Sequence, residues 1–240
     1  MGYIKELKNK IKDYMDGDYE VTETNTIPSP EDVPLGKKAF KIKLASLCID
    51  LRKSGDLLRI HDKETCGKIH KSYITIASEI ITKNHGQLRS FNGDSVLAFW
   101  NAEYQYGIWA AVIASLQLKW ALDIEFSKYF EKYSKLDFGI GVDFGDVYIV
   151  RAGLPRNDNN NNLVFLGECV NYACMIANQA HSPFHVEIST DAHLNLGEDL
   201  LMGTDIYGVK RNMWSDGYVP WGGKCCKTKL TGYCIVADTV

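Results

Sequence analysis

The sequence predicts an α+β domain, a mainly antiparallel sheet with helices packed on it. Three observations carry that expectation. Short apolar runs with strand periodicity are interleaved with longer stretches of helical periodicity. Asn92-Gly93 lies between two apolar runs, the pattern of a tight hairpin. Leu47-Cys48-Ile49 is a wholly apolar run, as expected of a strand covered on both faces, and it ends on Asp50.

Taken in order, Ile4, Leu7, Ile11 and Met15 recur at helical spacing and predict a short amphipathic helix over residues 3–15. Residues 16–36 are polar, contain Pro28, Pro30 and Pro34, and read as an irregular linker. The domain boundary is placed there, with residues 1–36 as N-terminal helix and linker and 37–240 as the main domain. Residues 39–50 form the first core strand. Helices follow over 54–61 and 64–83, the second ended by His85-Gly86. Strands are expected over 87–91 and 95–100, a helix over 105–126, and a second hairpin from 136–143 and 146–152 about Phe144-Gly145. Residues 156–162 hold Asp158 and a cluster of asparagines and read as a flexible tip. Strand 163–166, a helix over 169–180, strand 185–188, a short helix over 191–196 and glycine-punctuated strands, the last over 229–236, complete the chain. The order β-α-α-β-β-α-β-β-α-β is ferredoxin-like, with the helices expected on one face.

Composition narrows the classes. With 240 residues, 45% hydrophobic and 24% charged, the chain is ordinary globular material, not a mainly disordered or fibrous one. A net charge of −3 supplies no basic field for nucleic acid or an acidic membrane surface. Seven scattered cysteines with no CxxC pair read as small buried hydrophobes in a reducing cytosol. The N-terminus lacks the apolar core of a signal peptide, and Ser115, Gln117 and Lys119 interrupt the apolar stretch 106–122. A soluble, cytoplasmic protein with neither nucleic-acid nor membrane partners is the expectation.

Two carboxylates draw attention to chemistry. Asp50 ends an apolar strand, where an uncompensated charge is costly, and Asp94 follows the hairpin glycine. If their strands are neighbours the carboxylates meet at one sheet edge, where a hard divalent cation would relieve their repulsion. The bland alternative makes Asp50 a helix cap and Asp94 a turn residue.

Four blocks add to this. Leu47-Cys48-Ile49-Asp50-Leu51-Arg52-Lys53-Ser54 resembles the first metal motif of the class III nucleotidyl cyclases. Residues 86–99, from Gly86 through Asp94 to Phe99, resemble that family's metal-binding hairpin. Residues 138–147 resemble its next hairpin, and Gly167-Glu168-Cys169-Val170-Asn171-Tyr172-Ala173 resembles the opening of the helix with the catalytic asparagine. The resemblance covers roughly residues 40 to 236 and implies a class III cyclase domain. It further implies two Mg²⁺ or Mn²⁺ ions per site, held by Asp50, Asp94 and the Leu51 carbonyl, with in-line attack of the ribose 3′-OH on the α-phosphorus and loss of pyrophosphate. Asn171 would orient the ribose, the Lys53–Gly55 amides with Arg52 and Ser54 would meet phosphates, and Lys227 or Lys229 could reach the triphosphate. Family sites are shared between two subunits, so a homodimer is implied.

Two departures matter. Met175 stands where most relatives carry an arginine that stabilises the α-phosphate. Ser90 and Val164 occupy the base-reading positions, and a serine with an apolar partner reproduces neither purine code. The Asp50-Leu51-Arg52-Lys53-Ser54 variant and the compact chain, expected to lack a sensor domain, resemble the bacterial pyrimidine cyclases of Pycsar antiphage defence, which implies UTP as substrate, with CTP open, and a downstream effector of the cyclic nucleotide. A purine cyclase with an altered pocket and a non-catalytic nucleotide-binding module are the alternatives.

Overall fold

In the computed structural model, residues 2–153, 161–204 and 207–237 are described. The expected tip at 156–162 lies almost entirely outside them. The amphipathic helix forms as α1 (Tyr3–Asp16), followed by β1 (Glu20–Glu23) and the long strand β2 (Lys38–Leu51). Next come α2 (Ser54–Ile60), α3 (Lys63–Lys83), and the hairpin strands β3 (Gln87–Asn92) and β4 (Ser95–Asn101). Helix α4 (Gln105–Trp120) runs through a π-helical turn (Ala121–Glu125) into α5 (Ser127–Glu131). Then follow β5 (Phe138–Gly153), β6 (Asn161–Leu166), α6 (Glu168–Gln179), β7 (Val186–Ser189), α7 (Thr190–Leu194) and α8 (Glu198–Leu201). The chain closes with β8 (Met202–Thr204), β9 (Lys210–Asn212), β10 (Ser215–Trp221) and β11 (Lys224–Thr231).

The main sheet has the order β10-β11-β7-β5-β2-β4-β3, with β1 added to β2 and β6 added to β5. Its pairs are antiparallel except β5–β7 and β1–β2. Strand β2 is central, paired with β5 from Phe40 to Leu51 and with β4 from Leu44 to Ile49. Its side chains alternate between two cores. Ala45, Leu47, Ile49 and Leu51 pack with α3 and α4 residues such as Ile69, Tyr73 and Val112. Ile42 and Leu44 join Val147, Cys169 and Val170, and Cys48 meets Ala173 and Ala177 of α6. Burial on both faces is the reason the run 47–49 contains no polar residue.

Three local expectations need correction. The helices do not share one face: α3 and α4 cover one side of the sheet and α6 the other. Phe144-Gly145 makes no hairpin; β5 runs unbroken through it, because both halves are held in register by β2 (Ala45 opposite Phe144, Leu44 opposite Gly145). The chain instead reverses one strand later, where β6 pairs antiparallel with residues 148–153. The last strand ends at Thr231 rather than running to Val236. Within the stretch read as linker, β1 pairs with residues 38–41, and Val33 is fully buried beside Ile42 and Leu44. The apolar helix Gln105–Glu125, long enough to cross a membrane, is 67% buried and lies in the core.

Helix α6 lies unusually close to β5. A Cβ added at Gly141 would sit 2.0 Å from the Ala173 carbonyl oxygen and 2.7 Å from the Ala177 nitrogen, and one at Gly139 would sit 2.0 Å from the Ala177 oxygen. Backbone cannot yield as a side-chain tip can, so glycine is required at both positions. Gly141→Ala is therefore expected to cost at least about 1–3 kcal/mol, lowering the urea midpoint, whereas Gly55→Ala, with nothing within 4 Å, should leave it in place.

Candidate active site

Asp50 occupies the last-but-one position of β2, on the face that carries Cys48 and α6. Strand β4 is the neighbour of β2, with Ile49 opposite Val96, so Asp50 and Leu51 at the end of β2 lie at the same end of the sheet as Ser95 and the turn that holds Asp94. Asn92 pairs with Ser95, so Gly93 and Asp94 are the two central residues of the turn. Gly93 has φ +66°, the conformation glycine supplies at the first central position of such a turn. The turn thus falls one residue later than Asn-Gly suggests, and Asp94 stands within it rather than just past it. Asp50 is half-buried, and burial together with the Asp94 carboxylate pushes its pKa above the ordinary value, opposed by a hydrogen bond from Ser95. Neither carboxylate has an ion-pair partner among the described residues.

This donor set suits a hard divalent cation: two adjacent carboxylates and the carbonyl of Leu51, all oxygen. Among the described residues, no cluster of three or more His, Cys, Asp or Glu side chains exists elsewhere to compete for a metal. A further observation favours a polar occupant. Tyr73 of α3 is fully buried, and its hydroxyl has no hydrogen-bond partner. Burial first, then the charges of Asp50, Cys48 and Asp94, hold that phenol well above its ordinary pKa, so it stays neutral. In the sequence Tyr73 is one more member of the α3 apolar stripe, and nothing in that spacing marks it.

The loop after Asp50 is tightly built. Arg52 donates through Nη1 to the carbonyls of Asn178 and Ala180 and lies 3.9 Å from Asp137, fastening the loop to the C-terminal end of α6. Lys53 has left-handed backbone (φ 54°, ψ 31°), and its side chain is exposed. Ser54 and Gly55 begin α2. The structure therefore brings together Asp50, Leu51, Asp94 and the Arg52–Ser54 loop.

The other expected residues lie elsewhere in the same chain. Asn171 is exposed near the N-terminal end of α6, about two turns from Asn178, which touches the Asp50 loop. Ser90 stands on edge strand β3 opposite Leu97, just after a bulge. Val164, opposite Val150, is 38% exposed on β6, while the next residue, Phe165, turns onto the α6 side and stacks on Phe99 with centroids 4.4 Å apart. Strand alternation thus puts Phe165, rather than Val164, on the face that carries Leu97. Lys227 is exposed on β11, three strands from β2, and Lys229 is paired with Asp216. Met175 packs with Trp221 and Cys226 against Tyr172, Ile176 and Val219. Beneath α6, Asp143 accepts hydrogen bonds from Ser189 and the Phe144 amide, yet burial raises its pKa to about 6.

No protein-family model matches the chain. In sequence it is 29% identical over 224 residues to a uridylate cyclase of Burkholderia cepacia, covering 90% of this chain and 94% of that one. It is 25% identical over 185 residues to a uridylate cyclase of Rhodovulum sp. (strain MB263), covering 74% and 75%. Among solved structures it is similar to the adenylyl cyclase CyaB from P. aeruginosa (TM-score 0.65, 16% identity, 84% of this chain and 97% of that one). It is equally similar to the guanylyl cyclase Cya2 (TM-score 0.66, 18% identity, 83% and 95%). The chain thus has the fold of the class III nucleotidyl cyclase domains and is similar in sequence, at 25–29% identity, to relatives named uridylate cyclase.

Proposed function

We propose that the protein converts UTP to 3′,5′-cyclic UMP and pyrophosphate, with Mg²⁺ or Mn²⁺ ions held by Asp50, Asp94 and the Leu51 carbonyl. The supporting observation is the convergence of Asp50 and Asp94 at one sheet edge, in a chain whose sequence relatives are named uridylate cyclase. Bound there, divalent ions would lower the pKa of the ribose 3′-OH and offset the charge of the phosphates. The remaining work falls to the chain's own groups. Asn171 would hydrogen-bond the ribose and hold the 3′ oxygen in line with the α-phosphorus. Ser90, Val164 and Phe165 would border the base, an apolar-walled site with little to offer a purine's donors and acceptors.

A single copy separates Asn171 from Asp50 by two turns of α6, so completing the constellation calls for a homodimer in which each copy supplies Asn171, the base-contacting residues and Lys227 to the other's metals. By similarity to the antiphage cyclases, the cyclic nucleotide would act through a separate effector protein.

Met175 leaves the α-phosphate without its usual arginine and packs instead against the apolar cluster of Tyr172, Ile176 and Val219. Of the nearby cations, Arg52 is committed to two carbonyls and Asp137, and Arg151 lies opposite Leu163 at the far end of β5. Lys53 is exposed, adjoins the carboxylates, and sits in a left-handed conformation that costs a non-glycine residue about 1–2 kcal/mol. Lys53 is the residue assigned to the phosphate charge. The same Met175 also favours a second reading, a nucleotide-binding protein without turnover.

The deciding experiment incubates the purified protein with Mn²⁺ and each of ATP, GTP, CTP and UTP, resolving products by mass spectrometry. Cyclic UMP is expected, and Asp50→Ala and Asp94→Ala should each abolish it. A cyclic purine overturns the base assignment, and nucleotide binding without product supports the second reading.

Metal should also register in stability. Mn²⁺ at 100 times its dissociation constant adds about 2.7 kcal/mol, roughly 5–10 °C in Tm for a chain of this size, and Asp94→Asn should remove that gain. A carboxylate whose pKa is raised in the fold loses stability as pH rises through that pKa. Asp94→Asn should accordingly raise the metal-free Tm at neutral pH, and Mn²⁺ binding should weaken on acidification.

Lys53→Gly keeps the backbone conformation without strain while deleting the ammonium. It should lower kcat by about 10²–10³ while raising Tm slightly, whereas Lys53→Arg should retain most of the activity.

A further inference from the structure

Two cysteines lie against the site without a part in the proposed chemistry. Cys48 of β2, two residues before Asp50, is 2% exposed, and Cys174 of α6, three residues after Asn171, is half-buried. Their side chains meet in one packed cluster across the helix–strand interface. They share a small cluster with Ala173, Ala177 and Leu97. The close seating of α6 that excludes a Cβ at Gly141 brings this helix near the sheet at the same level, as a disulfide requires. On its other side Cys48 Sγ is 3.5 Å from Ser95 Oγ, and Ser95 in turn hydrogen-bonds the Asp50 carboxylate. Side-chain contacts thus lead from Cys174 through Cys48 to Ser95, beside Asp50.

We propose that Cys48 and Cys174 are a modification site: a peroxide converts them to a disulfide that disturbs the carboxylate pair. The cross-link stands on the thiol geometry alone; its consequence for metal rests on the reading of Asp50 given above. Cys174, the more exposed sulfur, attacks one peroxide oxygen. The O–O bond breaks, hydroxide leaves and takes the thiol proton as water, and Cys174 becomes a sulfenic acid. Cys48 sulfur then attacks Cys174 sulfur, the S–O bond breaks, and the hydroxyl leaves with the Cys48 proton as a second water. Two thiols and one hydrogen peroxide yield one disulfide and two waters, the sulfurs being oxidised and the peroxide reduced. Drawing Cys48 toward Cys174 takes its sulfur from Ser95, the hydroxyl that steadies Asp50. Loss of such a supporting contact lowers metal affinity about 10–100-fold.

The test treats the full chain with hydrogen peroxide, digests it without reduction, and maps linked peptides by mass spectrometry. Mn²⁺ affinity is measured calorimetrically before oxidation, after it, and after dithiothreitol. A Cys48–Cys174 peptide with a 10–100-fold loss of affinity, both reversed by dithiothreitol and both absent in Cys174→Ser and Cys174→Ala, is the expected result. Linkage confined to Cys225, Cys226 or Cys234, or the same loss of affinity in the Cys174 variants, would overturn it. If the reduced protein binds no Mn²⁺, the metal reading fails while the peptide map still judges the cross-link.

Discussion

Burial of β2 on both faces is the constraint on which the architecture turns. A strand packed by α3 and α4 on one side and α6 on the other, and paired along both edges, has no freedom in register or tilt. Its last residues inherit that rigidity, so the Asp50 carboxylate is fixed by the whole core rather than by local contacts. Held in this way, Asp50 stays half-buried near Asp94, and burial first, then the Asp94 charge, raise its pKa. The carboxylates are kept close by everything except each other.

The sequence announces this strand well because burial on both faces leaves a continuous apolar run. It announces Asp50 well for the same reason, since a charge at the end of such a run is conspicuous. Other features were less legible. Phe144-Gly145 looks like a turn when read locally, yet pairing to Ala45 and Leu44 holds it extended, a tertiary effect that no short window contains. Helix sidedness was misread because the order of elements does not state on which face each crossover runs. Tyr73 and the Cys48–Ser95 contact were invisible, because both depend on which residues the fold brings together across the sheet. Residues 20–35 contain prolines and polar side chains typical of a linker, but Val33 is buried in the core, Pro28 is buried too, and Ile27 packs against the same cluster.

Met175 and Lys53 illustrate how one departure can be balanced by another. A helix that exchanges charge for packing gains the apolar cluster of Val219, Trp221 and Cys226. On the proposed reading the cation comes from a different element, the loop after Asp50 in which Lys53 takes the left-handed region. Relocating a charge from a helix on one copy to a loop on the metal-bearing copy would change which half of a shared site carries the phosphate load.

The central place of β2 has a cost during synthesis. Its neighbour β5 begins at Phe138, some 87 residues after β2 ends at Leu51. At about 5–20 residues per second, that interval is on the order of 4–17 s, during which β2 is outside the ribosome with an edge unpaired and an apolar face uncovered by α6. Helix α3 and the β3–β4 hairpin emerge sooner and shield one side and one edge. The nascent chain therefore passes through a half-clothed sheet, the species most exposed to misassembly, and yield in the cell becomes a contest between elongation and aggregation.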